Sequence, residues 1–147
     1  MIVVSNTSPL IAFAKLNELK LLAQLFNNII IPKAVYDEFL NNCPEDEKII
    51  FLDACNKFIT VHSVEHLLAF KRTLDVGEKQ VLSLAVNLNS DVVLIDDKKA
   101  FYEAKEQNIS TASTRAILIK AEKIGLIKDY RELENKLRTK SFFIPNY

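Results

Sequence analysis

The sequence predicts an α/β fold in which a central, mainly parallel sheet of four or five strands lies between two layers of helices. Short runs rich in β-branched residues alternate along the chain with segments of helical periodicity, which is typical of parallel strands joined by helices. The first run, IVV (2–4), is apolar throughout rather than alternating. A strand of that kind is expected to be buried on both faces. Together these observations favour a three-layer α/β/α domain.

The predicted strands, in chain order, are IVV (2–4), IIIP (29–32), FITVH (58–62), DVVLID (91–96) and the weaker ISTAS (109–113). Periodicity and charge pattern predict helices over 9–16, 33–42, 78–88, 98–107 and 129–138. Ser8 is expected to cap the first helix, and Pro9 fits its first position because its missing N–H would be unpaired there anyway. The tail SFFIPNY (141–147) is expected to pack on the body of the domain or on a partner.

Composition predicts one compact domain over residues 1–147. The 19 basic and 19 acidic residues cancel, so any binding of nucleic acid needs a local patch. Cys43 and Cys55 fit no metal-ligand spacing and are expected to be free thiols. No apolar run approaches the ~20 residues that span a bilayer, and the start MIVVSNTSPL lacks a basic region. We therefore expect a cytoplasmic protein without a signal peptide or a membrane partner.

Polar side chains follow two of the predicted strands at the point where each ends. In open α/β sheets, ligands bind in the crevice at the carboxyl ends of the strands. Asn6 follows the first strand, and Asp96 and Asp97 follow the fourth. If these strands are neighbours, the three side chains meet at one edge. Asp97 has an alternative interpretation as the N-cap of the helix KKAFYEAKEQ, and the local sequence leaves both open.

Two glutamates lie on or beside apolar helix faces. Glu78 precedes Leu82 by four positions and so lies on the face that packs inward, while Glu38 is adjacent to Phe39. A carboxylate held beside an apolar stripe is costly unless a partner or a metal compensates it. The alternatives are ordinary: a first-turn glutamate gains ~0.3–1 kcal/mol from the helix dipole, and Glu38 fits a plain helix edge.

The convergence of acids from several chain segments predicts a metal site. Such carboxylates would repel one another unless a divalent cation lay among them. Hard oxygen ligands suit Mg²⁺ or Mn²⁺ rather than Zn²⁺, and a zinc site at His62 and His66 is disfavoured because His62 falls at a strand end. The predicted ligands are Asn6, Glu38, Glu78, Asp96 and Asp97.

Five fragments, in this order along nearly the whole chain, resemble the PIN domain family, a nuclease fold of about this length: VVSNTSPLIAFAKL, IIIPKAVYDEFL, LDVGEKQVLSLAV, VVLIDDKKAFYEAK and STRAILIKAEKIGLI. The chain resembles in particular small prokaryotic PIN proteins that begin SNTSPLI and carry GE and DD. The wider family includes the toxin ribonucleases of toxin–antitoxin pairs. The resemblance implies a doubly wound sheet whose acidic cluster binds a metal for phosphodiester hydrolysis.

The resemblance also implies individual roles. It places Asn6, Glu38, Glu78 and Asp96 at the four acidic positions of the family, with Asp97, Thr114 and Ser8 as accessory residues. Glu38, Glu78, Asp96 and Asp97 are the catalytic candidates. Two positions depart from the family pattern: Asn6 stands where PIN nucleases usually have Asp, and Phe101 stands where closer relatives are expected to have Arg.

The expected activity is that of a Mg²⁺- or Mn²⁺-dependent endoribonuclease acting on single-stranded RNA. Lys98, Lys99 and Arg115 lie just beyond the predicted strand ends and are candidate contacts for the RNA backbone, Arg115 first among them. Expected partners are a small antitoxin protein and a second copy of the chain. The alternative, suggested by Asn6, is a degenerate PIN module that binds RNA or a protein partner without cleavage. A nucleotide-binding fold is disfavoured because no glycine-rich loop is present.

Overall fold

The computed structural model describes residues 1–145. Its strands are β1 (Val3–Ser5), β2 (Ile29–Pro32), β3 (Ile59–His62), β4 (Val92–Leu94) and β5 (Thr111–Ala112). They form one sheet in the order β3-β2-β1-β4-β5, and every pairing is parallel. Helices cover both faces of this sheet, so the predicted three-layer α/β/α fold is confirmed.

The helices are α1 (Thr7–Lys15), α2 (Lys20–Phe26), α3 (Lys33–Asn42), α4 (Glu45–Cys55), α5 (Val76–Leu88), α6 (Lys98–Glu106), α7 (Thr114–Lys123) and α8 (Tyr130–Thr139). Three of them, α2, α4 and α7, lie outside the helices predicted from periodicity. Helix α4 shows why: only Glu47, Phe51 and Ala54 among its residues are buried. So narrow a buried face gives a weak periodic signal.

Strands β1 and β4 are neighbours, as the predicted crevice requires. Ser5 pairs with Leu94, and one residue later the backbone N–H of Asn6 donates to the carbonyl of Leu94 over 2.9 Å. The chain continues from β1 to β2 on one side of this pair, whereas β5 lies on the other. The strand order therefore reverses between β1 and β4, and the crevice at their carboxyl ends is the topological switch point of the sheet.

The core explains why the central strands are apolar throughout. Val3 and Val4 point to opposite faces of the sheet and are both fully buried, as are Val93 and Leu94 of the neighbouring strand. On one side of the sheet, Phe39 of α3 stacks on Phe51 of α4, with ring centroids 4.0 Å apart. This packing fixes α3, the helix that carries Glu38, against the sheet.

The first helix begins at Thr7 with Asn6 as its N-cap, so the prediction that Ser8 caps it is wrong. Ser8 is the second helical residue, and its hydroxyl donates to Asp96 rather than capping the helix. Pro9 falls at the third helical position rather than the first. The position is tolerated because N–H groups of the first turn have no acceptor within the helix.

The tail reaches back to the body of the domain. Phe142 is partly buried against the core and Ile144 is 8% exposed, so the prediction that the tail packs is confirmed for these two residues, whereas Phe143 is exposed. The part of that prediction that concerns Asn146 and Tyr147 lies outside the described residues. Cys43 and Cys55 are free thiols, as predicted. Between residues 1 and 145, no helix combines the length and the apolar character needed to cross a membrane.

Candidate active site

A crevice of about 630 Å³ opens at the carboxyl ends of β1 and β4. All five predicted metal ligands line it, so the structure brings together side chains from four segments of the chain. Its remaining wall contains one further acid, two hydroxyl residues, one lysine and three apolar residues of the tail. The lining residues are Asn6, Thr7, Ser8, Glu38, Asp75, Glu78, Asp96, Asp97, Lys98, Phe142, Phe143 and Pro145.

Asp96 is held by three hydrogen bonds from two helix N-termini. Its Oδ1 accepts from the backbone N–H of Thr114 over 2.8 Å. Its Oδ2 accepts from the hydroxyls of Thr114 over 2.7 Å and Ser8 over 2.8 Å. Thr114 opens α7 and Ser8 lies in the first turn of α1, where the helix dipoles favour negative charge. These contacts orient a carboxylate that is only 5% exposed, and they give Ser8 and Thr114 a defined structural place at the site.

Asp97 has a different local partner from its neighbour. Its Oδ2 accepts from the backbone N–H of Ala100 over 2.9 Å and caps α6. The N-cap interpretation of Asp97 is therefore confirmed, yet the same residue also lines the crevice. The two adjacent carboxylates therefore have different structural roles. Asp96 joins α1 to α7, whereas Asp97 caps the start of α6.

Glu78 and Asp75 form a capping box at the start of α5. The backbone N–H of Glu78 donates to Asp75 Oδ1 over 2.8 Å, and that of Asp75 donates to Glu78 Oε1 over 2.9 Å. Glu78 is 9% exposed, as expected for an inward-facing residue. The pKa of Glu78 is raised to about 7, chiefly by burial and also by the nearby carboxylates of Asp75 and Asp97, against the lowering effect of the Asp75 N–H.

Asp75 is a site residue that the sequence-based set does not contain. The signal was present in DVGE (75–78), where an Asp stands three residues before a Glu at the start of a helix. That spacing is typical of a capping box. Thr7, a second residue outside the predicted set, donates its hydroxyl to Glu38 Oε2 over 3.0 Å.

Gly77 lets three oxygen-bearing side chains approach one point. A Cβ at this position would lie 3.1 Å from Glu38 Oε2, 3.5 Å from Asp75 Oδ1 and 3.8 Å from Asn6 Oδ1. The missing side chain therefore allows the first turn of α5 to close against α3 and β1. The Asn6 side chain forms no cap hydrogen bond with α1, and Asn6 lines the crevice.

The buried acids of the crevice differ from those elsewhere in the chain. Three buried glutamates outside it each have a cationic partner within 3.3 Å: Glu47 with Lys15, Glu103 with Arg72 and Glu134 with Arg115. Glu78 and Asp96, which are equally buried, form no salt bridge within residues 1–145. Hydrogen bonds and helix termini hold these two carboxylates, and none of the described basic side chains forms an ion pair with them.

The donor set suits a hard divalent cation. In the part of the chain that the structure describes, no three His, Cys, Asp or Glu side chains are arranged so that they alone could hold a metal ion. The crevice instead combines carboxylates with an amide and hydroxyls. Mg²⁺ commonly binds one or two carboxylates and keeps several waters, so a complete cage of acids is not required. The lining residues that the structure describes offer oxygen donors, whereas zinc typically takes sulfur and imidazole ligands.

The predicted RNA contacts fall into three environments. Lys98 lines the crevice, and Lys99 is exposed on α6 but does not line it. Arg115 donates from Nε to Glu134 Oε2 over 2.7 Å and so joins α7 to α8. The RNA-binding role of all three stays a prediction, and Lys98 has the position that fits it best.

The fold and the crevice define a doubly wound α/β domain with an acidic site at its switch point. The PIN domain family model matches residues 2–147, and the chain therefore belongs to the PIN domain family, as its motifs indicate. The members of this family are generally nucleases that use divalent metals.

A solved structure with a similar fold is that of a PilT N-terminus domain protein from the archaeon Sulfolobus solfataricus P2. The two chains superpose with a TM-score of 0.64 at 18% sequence identity, over 82% of this chain and 93% of the other. At that identity the likeness concerns the fold alone. A search of curated proteins gave no significant match.

Proposed function

We propose that this PIN domain is a Mg²⁺- or Mn²⁺-dependent endoribonuclease that hydrolyses phosphodiester bonds of RNA. The observation that carries the proposal is the contrast between Glu78 and Asp96, which lack a cationic partner among the described residues, and the paired buried glutamates elsewhere. Leaving buried carboxylates without neutralisation is costly. A divalent ion between the protein and an anionic substrate removes that cost.

The residues proposed to hold the ion are Asn6, Glu38, Glu78, Asp96 and Asp97. When bound, a divalent ion supplies the charge that polarises a scissile phosphate and makes an attacking water more acidic. Ser8 and Thr114 act as positioning residues because their hydroxyls fix the Asp96 carboxylate.

The chain offers carboxylates to orient the attacking water. Asp97 and Glu38 line the crevice and are the carboxylates proposed to orient or deprotonate that water. Lys98 lines the same crevice and is the proposed contact for the RNA backbone. A single-stranded substrate fits best because its phosphates are flexible enough to enter a recessed acidic site.

A biological role as the toxin of a toxin–antitoxin pair is part of the proposal. A small antitoxin would cover the acidic crevice, and a neighbouring reading frame that encodes one would support the role. A homodimer and a cytoplasmic location belong to the same proposal. Size-exclusion chromatography with light scattering would test the dimer directly.

The proposed activity is tested with a 5′-labelled single-stranded RNA and purified protein, in Mg²⁺, in Mn²⁺ and in EDTA. Wild-type protein should cleave only with a divalent ion, and Asp96→Asn should lower the rate by at least about a hundredfold because it removes a charge from the metal site. Asp53→Asn, which alters an exposed pair with Lys57, is the control and should cleave normally.

A degenerate module that binds RNA or a protein partner without cleavage is the second candidate. The observation that favours it is Asn6, which offers an amide oxygen without charge where the family usually has Asp. Equal inactivity of wild type and Asp96→Asn, with RNA still bound in a fluorescence anisotropy assay, would replace the nuclease with this candidate.

A further inference from the structure

The tail places an exposed aromatic ring on the wall of the acidic crevice. Phe143 is 82% exposed, and together with Phe142 and Pro145 it forms the apolar wall. The carboxylates described above line the same crevice. One crevice therefore offers both oxygen ligands for a cation and an uncharged aromatic surface.

The backbone around Phe143 is fixed by the end of α8. Ser141 adopts a left-handed conformation, with φ of 61°, and its N–H donates to the Arg138 carbonyl over 3.1 Å. The N–H of Phe142 donates to the Leu137 carbonyl over 2.9 Å. This pair of bonds is the Schellman pattern of a helix C-terminus. It turns the chain back from α8 towards the crevice.

The flanking side chains anchor the segment while Phe143 points away from the core. Ile144 is buried, and Phe142 is partly buried against the core. Phe143 lies between these two neighbours and is itself 82% exposed, so its ring is available at the crevice.

The negative charge of the crevice limits which chemical groups can pack on the Phe143 ring. A phenyl ring left in water forgoes the favourable free energy of burying its apolar surface. Anionic groups are repelled by the five acids of the crevice except where a cation intervenes, whereas a nucleobase is uncharged and has an aromatic face. Base stacking on aromatic side chains is the common mode of binding single-stranded nucleic acid.

We propose that Phe143 stacks on an unpaired nucleobase of the RNA next to the scissile phosphate, an inference that rests on the proposed ribonuclease function. The phosphate enters on the carboxylate side and the adjacent base lies on the Phe143 ring. The site then selects RNA in which that nucleotide is unpaired, because a base within a duplex cannot offer its face. Phe143 is a specificity-determining residue in this arrangement.

The test measures binding of a short single-stranded RNA in Ca²⁺, by fluorescence anisotropy, for wild type, Phe143→Ala and Phe143→Trp. A second RNA carries an abasic residue at the nucleotide next to the cleavage position, or is scanned with single abasic residues if that position is not known. Phe143→Ala should raise the Kd for the intact RNA by about tenfold. It should change the Kd for the matching abasic RNA less than twofold, and Phe143→Trp should bind like wild type.

The control variant is Ile49→Ala, which truncates an exposed apolar side chain of α4 outside the crevice and should leave both Kd values unchanged. Equal effects of Phe143→Ala on the intact and abasic RNAs, or no effect on either, would overturn the inference. A change of oligomeric state in Phe143→Ala would also overturn it, since the ring would then contact a second copy of the chain.

The two proposals fail in different ways. Stacking without cleavage in Mg²⁺ or Mn²⁺ would disprove only the ribonuclease function. Cleavage that does not change in Phe143→Ala would disprove only the stacking.

Discussion

The hydroxyl of Ser8 lies 2.8 Å from Oδ2 of Asp96 and joins residues that are 88 positions apart in the chain. The bond connects the first turn of α1 to the segment that follows β4, across the switch point of the sheet. Thr114 donates to the same oxygen, so Asp96 accepts hydrogen bonds from the first turns of both α1 and α7. The carboxylate thus has one orientation before any ligand arrives.

Replacing Ser8 with Ala should lower both stability and activity. The loss of one hydrogen bond to a buried carboxylate is expected to reduce the free energy of unfolding by about 1–2 kcal/mol. Because Asp96 is then less constrained, kcat should fall by a larger factor than KM rises. Urea unfolding and RNA cleavage measure the two effects. Ser63→Ala, in an exposed loop, is the control. Unchanged unfolding and kcat in Ser8→Ala would contradict the positioning role.

The raised pKa of Glu78 predicts a pH-dependent stability. Between about pH 4.5 and pH 7, folded Glu78 retains a proton that the unfolded chain has released, so its contribution to stability falls as the pH rises through this window. Glu78→Gln keeps an oxygen acceptor for the Asp75 N–H and carries no charge. Without divalent ions, the variant should be more stable than wild type at pH 8 by roughly 1–2 kcal/mol.

The measurement is urea unfolding in EDTA at pH 4.5 and pH 8, with exposed Glu45→Gln as the control. The difference in free energy of unfolding between Glu78→Gln and wild type should shrink towards pH 4.5. At that pH, Glu78 of wild type carries its proton to a greater extent in both the folded and the unfolded chain. A variant that is less stable than wild type at pH 8 would show that ionised Glu78 is favoured in the fold.

Asn6→Asp should bind Mn²⁺ more tightly than wild type. The substitution adds a charged oxygen at a position that lines the crevice, and affinity for hard cations rises with ligand charge. We expect a Kd at least about tenfold lower by calorimetric titration, with Asn135→Asp on α8 as the control for added charge. An unchanged Kd would mean that Asn6 lies outside the metal shell.

Lys98→Ala should weaken RNA binding more than Lys99→Ala, because only Lys98 lines the crevice. A lost phosphate contact reduces the slope of log K against log salt by ~0.7 for single strands. Anisotropy titrations from low to moderate salt measure this slope, with exposed Lys128→Ala as the reference. Equal slopes for Lys98→Ala and wild type would place the RNA backbone elsewhere.

Arg115→Ala should destabilise the fold, because it leaves the buried carboxylate of Glu134 without its 2.7 Å partner. Arg115 is partly exposed, so we expect a loss of about 2–3 kcal/mol rather than the largest values for buried pairs. Thermal or urea unfolding measures it. Glu134→Leu in the same chain should restore most of the loss, whereas Lys33→Ala, in an exposed pair, should cost at most about 1 kcal/mol. Normal stability of Arg115→Ala would show that the ion pair contributes little.

Much of the fold could be predicted because local pattern and strand burial agree. The run IIIP matches β2 and the segment 33–42 matches α3, since each has a continuous apolar or periodic signal with clear ends. The same reasoning places Asn6 after β1 and Asp96 after β4, and parallel strands bring those ends to one edge. The weak periodicity of α4 gives no such signal.

The sequence by itself determined which strand ends carry oxygen-bearing side chains, because side-chain chemistry and chain order are local properties. Only the tertiary structure decided which acid joins α1 to α7, which one caps a helix, and that Asp75 and Phe143 share the crevice. It also assigned Arg115 to Glu134, a partner 19 positions away. Such choices depend on distances of a few ångströms between distant segments, and neither periodicity nor spacing along the chain contains those distances.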